Sequence, residues 1–221
     1  MREIAIGTFI GSVAFFMIYV VLLVYYKSFY LKGRDLGFKN TFGYEIYSAL
    51  PIRSRILLYC SLMLNVALGI FSYFFALRSF LTTYTLIVGI VYVISYIAIA
   101  IANITPLTFY KTHLLASIFA VLGYAFASIL IGFSFLVEGA FIVAEGINPT
   151  IFIIIAVLGI ITLLACFNKK LLSWAKMDKA EENGKTFYVK PKVNWLALYE
   201  WIVYILINIT NLLLIIYLFI A

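Results

Sequence analysis

The run FLTTYTLIVGIVYVISYIAIAIANI, from Phe80 to Ile104, holds 25 residues without a single Asp, Glu, Lys or Arg. Crossing the hydrocarbon core of a bilayer, about 30 Å thick, takes about 20 apolar residues at about 1.5 Å each. The run reads as a transmembrane helix, and it decides the fold because five more segments of the same kind flank it. The six extend from Ile4 to Tyr26, Ile56 to Leu77, Phe80 to Ile104, Leu114 to Val137, Thr150 to Phe167 and Trp195 to Ala221. This pattern predicts an all-α polytopic bundle of about six spans, forming a single membrane domain over residues 1–221. Only Arg78 and Ser79 separate the second and third spans, which predicts a tight antiparallel hairpin. The fifth span is the shortest, so a re-entrant or interfacial placement stays open for it.

The composition agrees. Hydrophobic residues make up 66% of the chain and charged residues 11%, whereas soluble domains carry about 25% charged residues. The mean hydropathy is +1.12. The opening Met1-Arg2-Glu3-Ile4 leads into an apolar stretch too long for a signal-peptide core, and reads as a retained span. The net charge of +7 does not point to nucleic acid, because the basic residues fall between apolar stretches and form no continuous face with interleaved aromatics. It points to topology, since Lys and Arg are retained on the cytoplasmic side. Fourteen of the sixteen basic residues lie in the loops 27–55, 105–113 and 168–194, leaving Arg2 and Arg78 for the opposite side. The expectation is that these three loops are cytoplasmic, that both termini are not, and that the host is the cell membrane.

Two of the basic loops have room for structure. Asn40 or Thr41 could cap a short helix running to Leu50 and ended by Pro51, with Phe42, Tyr44, Ile46 and Tyr47 lying at headgroup level. Lys169 to Glu182 reads as a basic amphipathic helix with Asn183-Gly184 as its stop.

Inside the spans, polar residues need an account. Ser61, Asn65, Gly69 and Ser72 keep within about 80° of arc on one helix face. Glu200, Tyr204, Asn208 and Asn211 do the same on the last span. An amide without a partner in hydrocarbon costs several kcal/mol, so both stripes should face protein or water. Two readings follow: hydrogen bonds between helices, or the lining of a polar path through Asn65, Glu200, Tyr204, Asn208 and Asn211. Glu200 is the only acid within a span. Its expected ion-pair partners are His113, Arg53 or Arg55, which start their elements at the same membrane boundary.

The chemistry-bearing inventory is short. One His rules out bis-histidine haem ligation within the chain and a His-rich zinc or copper centre. Cys60 and Cys166 sit in apolar runs with no CxxC spacing, which reads as two buried packing thiols. No Gly-rich phosphate loop and no paired intramembrane carboxylates are present. No cofactor and no metal are expected. Small-residue spacings, Gly7 with Gly11, Ala116 with Ala120 and Ser128 with Gly132, suit close helix packing.

Two resemblances attach to particular residues. Ala49-Leu50-Pro51-Ile52-Arg53-Ser54-Arg55 resembles the basic Leu-Pro segment preceding a helix in permease subunits of ATP-binding-cassette exporters, which implies a cytoplasmic contact with an ATPase; one span precedes it here where that family has two. His113 opening a helix that contains Gly123-Tyr124, with Glu200-Trp201 opening the last span, is similar to the six-span damage-regulated autophagy modulator family, whose basic-loop pattern is opposite. Neither is adopted as an identification. Three functional classes follow from the sequence: a cofactor-free subunit of a larger respiratory or transport assembly, a permease using the two polar stripes, or a membrane enzyme acting on lipid. The expected partners are membrane lipids and other membrane protein subunits, with no nucleic acid.

Overall fold

A computed structural model describes residues 2–32, 41–77, 83–137, 149–167, 178–182, 185–189 and 193–220. The helices are α1 (Arg2–Tyr30), α2 (Gly43–Ser48), α3 (Ile52–Leu77), α4 (Thr83–Ile104), α5 (Tyr110–Phe133), α6 (Thr150–Cys166) and α7 (Trp195–Ile220). Strands β1 (Asp178–Glu182) and β2 (Lys185–Val189) form an antiparallel pair. Five of the helices, α1, α3, α4, α5 and α7, are long and apolar enough to cross a membrane. The sixth, α6, has 17 residues, about 25 Å of helix, so it falls slightly short of a full hydrocarbon core.

The bundle buries many of its tyrosines and turns many of its isoleucines outward. Tyr19, Tyr73, Tyr92, Tyr96, Tyr124 and Tyr204 are fully buried, while Ile87, Ile90, Ile94, Ile97 and Ile101 form an exposed stripe along α4. Such an arrangement suits a lipid solvent, in which apolar burial supplies no drive between helices and packing or hydrogen bonding must hold them together.

Helix α1 packs along α3, α4 along α5, and α5 along α6, while α7 closes the bundle against α1, α5 and α6. Small residues set the closest approach. A Cβ at Gly132 would lie 2.6 Å from the Cα of Ala156, and one at Gly159 would lie 2.8 Å from the carbonyl of Ala125. These pairs also fix α5 and α6 as antiparallel. The inward face of α6 is the stripe Phe152, Ile155, Ala156, Gly159 and Thr162. A Cβ at Gly11 would meet Leu68 Cδ1 of α3 at 3.0 Å, whereas Gly7 has nothing near its Cβ position, so only one member of the Gly7 and Gly11 spacing lies at a close helix contact.

The two basic loops depart from expectation. In the first, α2 begins at Gly43, and the Phe42 amide donates to Glu45 Oε2 at 2.9 Å. Phe42, Ile46 and Tyr47 are not presented to lipid headgroups; all three are fully buried in protein. The segment is tucked into the end of the bundle where α3, α5 and α7 start and α4 finishes, an end called the mouth below. The approach there is close: a Cβ at Gly43 would meet the Asn103 side chain at 2.4 Å.

In the fifth loop, residues 178–182 form a strand where an amphipathic helix was expected; 168–177 lie outside the described residues. The register pairs Glu182 with Lys185 and leaves Asn183-Gly184 between the strands. That dipeptide stops helices, but it is also the strongest short hairpin signal, and Thr186-Phe187-Tyr188-Val189 is a β-forming run. Cys60 is exposed on the bundle's outer surface, and only Cys166 is partly covered, its thiol directed to Thr162 O at 3.3 Å.

Candidate functional site

Two polar clusters hang on α7, one at mid-span and one at the mouth. Because α7 repeats every 3.6 residues, Tyr204, Asn208 and Asn211 project together into the bundle; the three are between 0% and 3% exposed. Opposite them Asn65 of α3, also fully buried, acts as the hub. Its amide nitrogen donates to Asn208 Oδ1 at 2.9 Å and approaches Ser12 O at 2.8 Å and Ser12 Oγ at 3.0 Å. Its side-chain oxygen accepts from Tyr204 OH at 3.0 Å. Ser12 returns the bond, its hydroxyl donating to the Asn65 carbonyl at 2.9 Å. Asn208 Nδ2 donates to Tyr204 O at 2.9 Å. Three helices, α1, α3 and α7, are thereby tied at one level.

One turn further along α7, Asn211 is gripped by two tyrosines of α4. Tyr92 OH donates to its Oδ1, and its Nδ2 donates to Tyr96 OH. The Tyr96 ring lies directly on the backbone of Gly69, where a Cβ would meet the ring at 2.5 Å. This accounts for the glycine in the α3 stripe: its missing side chain is the space Tyr96 occupies. Ser61 and Ser72 of the same stripe return their hydroxyls to carbonyls four residues back, Leu57 and Leu68.

The second cluster sits at the mouth. His113, in the first turn of α5, is fully buried, and its Nε2 lies 3.0 Å from Oε1 of Glu200, whose side chain is 8% exposed. The approach is off the nitrogen's bonding axis, so the contact is electrostatic rather than an aligned hydrogen bond. Nδ1 of His113 faces Thr105 O at 3.0 Å. A carbonyl can only accept, so Nδ1 carries a hydrogen. The contact brings together the two ionisable groups covered at this end of the bundle, so that each is the other's electrostatic partner. Ser117, one turn along α5, reaches Glu200 Oε1 as well as its own helix's His113 carbonyl.

The α2 segment covers this pair. The His113 ring meets Phe42 edge-on with centroids 4.6 Å apart and Tyr44 at 5.7 Å. Trp201 Nε1 donates to Thr41 O at 3.0 Å. Tyr47 shares a hydrogen bond with Tyr19 and lies 3.5 Å from Asn103 Oδ1. Tyr19 in turn packs against Trp201 and Tyr204, with ring centroids 6.4 Å and 5.5 Å apart, which places the two clusters in series.

Among the residues expected from the sequence, Asn65, Tyr204 and Asn208 meet in one cluster, Asn211 in its neighbour, and Glu200 with His113 at the mouth. The arginines do not join them: Arg55 turns its guanidinium to Leu50 O at 3.1 Å and Ser48 O at 3.4 Å, and Arg53 is exposed. Ser12, Tyr19, Tyr92, Tyr96 and Ser117 also belong to the clusters, as does Tyr47, which the sequence marks only as a headgroup-level aromatic. A tyrosine placed mid-span rather than at an interface is the signal that marks several of them, because a buried hydroxyl in hydrocarbon requires a partner.

A hydrolytic serine would need its hydroxyl on the imidazole, whereas Ser117 meets the carboxylate, so the nucleophile-base contact of such enzymes is not formed here. Among the described residues no group of three or more His, Cys, Asp or Glu is placed to hold a metal. Comparison with family models, with curated proteins and with solved structures found no match to this chain.

Proposed function

We propose that this multi-pass membrane chain is a cofactor-free subunit of a larger membrane assembly, of the respiratory or transport kind. The observation that supports this best is that the core amides are engaged within the bundle. Asn65, Asn208 and Asn211 have side-chain hydrogen-bond partners on α1, α3, α4 and α7. A substrate path needs polar groups that can exchange those partners for the passenger; here they bind helix to helix, the use expected of a scaffold in lipid.

The host is read as the cell membrane, with the basic loops in the cytoplasm and both ends on the far side. Purification in mild detergent followed by native mass spectrometry tests the subunit reading. Membrane proteins recovered at fixed stoichiometry support it, and a homogeneous lone chain overturns it.

A permease is the second reading, favoured by one feature: Tyr47, Tyr19, Tyr204 and Asn65 succeed one another from the mouth to mid-span. Transport along this column would require α2 to leave the mouth and the amides to part. A lipid-acting enzyme ranks third, because Ser117 is not placed as a nucleophile.

A further inference from the structure

A concave apolar groove of about 400 Å³ runs between α4 and α5 on the outer surface. Its floor is made by Ala98 and Ala116, which are 5% and 7% exposed, and its walls include Ile97, Ile101 and Phe119. The groove starts at Thr112, on the exposed side of the first turn of α5, and extends to Phe119, about 10 Å deeper along the helix. Lys111, which is exposed, immediately precedes Thr112 in the chain, at the mouth-side end of the groove and outside its lining. It is the only Lys or Arg in residues 105–113, and among the described residues no carboxylate pairs with it.

From this juxtaposition we propose that the groove is a binding site for one acyl chain of an anionic phospholipid, with the lipid phosphate held by Lys111 and the Thr112 hydroxyl. All exposed apolar surface in a bilayer meets acyl chains. What distinguishes this place is that a trough with a small-residue floor ends at a cation and a hydroxyl donor set at one membrane boundary. A chain lying in the trough keeps its phosphate beside an ammonium that no carboxylate among the described residues pairs with, and a basic residue near the surface favours anionic lipid. A neutral lipid would gain only the apolar contact. The proposal is independent of whether the chain is a subunit or a permease.

The test uses the full chain reconstituted in nanodiscs of phosphatidylcholine with one-fifth phosphatidylglycerol, released into native mass spectrometry. The expected result is one retained lipid per chain, enriched in phosphatidylglycerol over the bulk ratio. Lys111→Gln should lower that enrichment about five-fold, and Ala98→Trp, which fills the trough, should abolish retention while the protein stays monodisperse. The Lys111 variant changes an exposed side chain, so it remains informative if Ala98→Trp fails to fold. Retention with no headgroup preference, or an enrichment unchanged by Lys111→Gln, overturns the proposal. So does a filled groove that releases a co-purifying membrane protein instead of a lipid, which would make the trough a helix-docking face.

Discussion

The two clusters on α7 solve the same problem with different chemistry, and their depth accounts for the difference. At mid-span, four residues from three helices satisfy one another with amides and hydroxyls alone, and no group there needs to carry charge. At the mouth, an imidazole and a carboxyl lie 3.0 Å apart under a covering segment. Neutral polar groups can be placed at any depth once paired, whereas ionisable ones are costly in hydrocarbon and are accommodated more readily near a boundary and beside a partner. The mid-span cluster binds helix to helix; the mouth cluster also holds α2.

This contrast predicts a gradient of effects. The largest is expected from Asn65→Leu, which strands Tyr204 OH and the side-chain oxygen of Asn208 in a dry interior at a cost of about 3 kcal/mol. Reversible unfolding in mixed micelles would measure it; an unchanged or raised stability would place the stripe against lipid. The mouth pair should behave differently. His113→Leu alone leaves a covered carboxylate without its partner and should cost about 2 kcal/mol, discounted from the usual figure for buried pairs because Glu200 lies near the boundary. Adding Glu200→Leu should return part of that loss. Additive costs in this double-mutant cycle would show that the two groups are not coupled. The smallest effect is expected from Tyr47→Phe, about 1 kcal/mol for its hydroxyl contacts, together with faster labelling of a cysteine placed at Ser48 if α2 loosens. Unchanged stability and labelling would mean that side-chain packing, not the hydroxyl, keeps α2 in place.

The fold class was legible because helix-length apolar runs carry their own signal, one element at a time. The inward faces of α3 and α7 were legible for a related reason: Ser61, Asn65 and Gly69, like Tyr204, Asn208 and Asn211, recur at helical spacing. Their partners were not. Nothing local to α1 says that Ser12 meets Asn65, and nothing in α4 says that Tyr92 and Tyr96 clasp Asn211, because pairing between helices arises only on assembly. The α2 segment misled for a physical reason. Aromatic residues in a membrane loop suit a headgroup layer and a bundle mouth equally, and at the mouth Gly43 closely approaches Asn103. The fifth loop misled because Asn-Gly serves both helix ends and hairpins.

The topology can be sharpened separately. A cysteine introduced as Lys185→Cys, in a chain with Cys60 and Cys166 replaced, should be labelled only from the cytoplasmic side. Labelling from outside intact cells would invert the proposed orientation while leaving the packing intact.

If the mid-span polar groups are sealed into helix-helix bonds rather than lining a watery path, the Ser12 position should be closed to water from both sides. Ser12→Cys is a near-isosteric change at a fully buried position beside Asn65. In the same Cys60 and Cys166 replacement background, reconstituted in vesicles, this thiol is exposed to a small hydrophilic methanethiosulfonate reagent from each side in turn. No modification is expected from either side until the protein is denatured in detergent. Modification from one side at a rate approaching that of a cysteine in an exposed loop would contradict that sealing, and would move the permease reading ahead of the subunit.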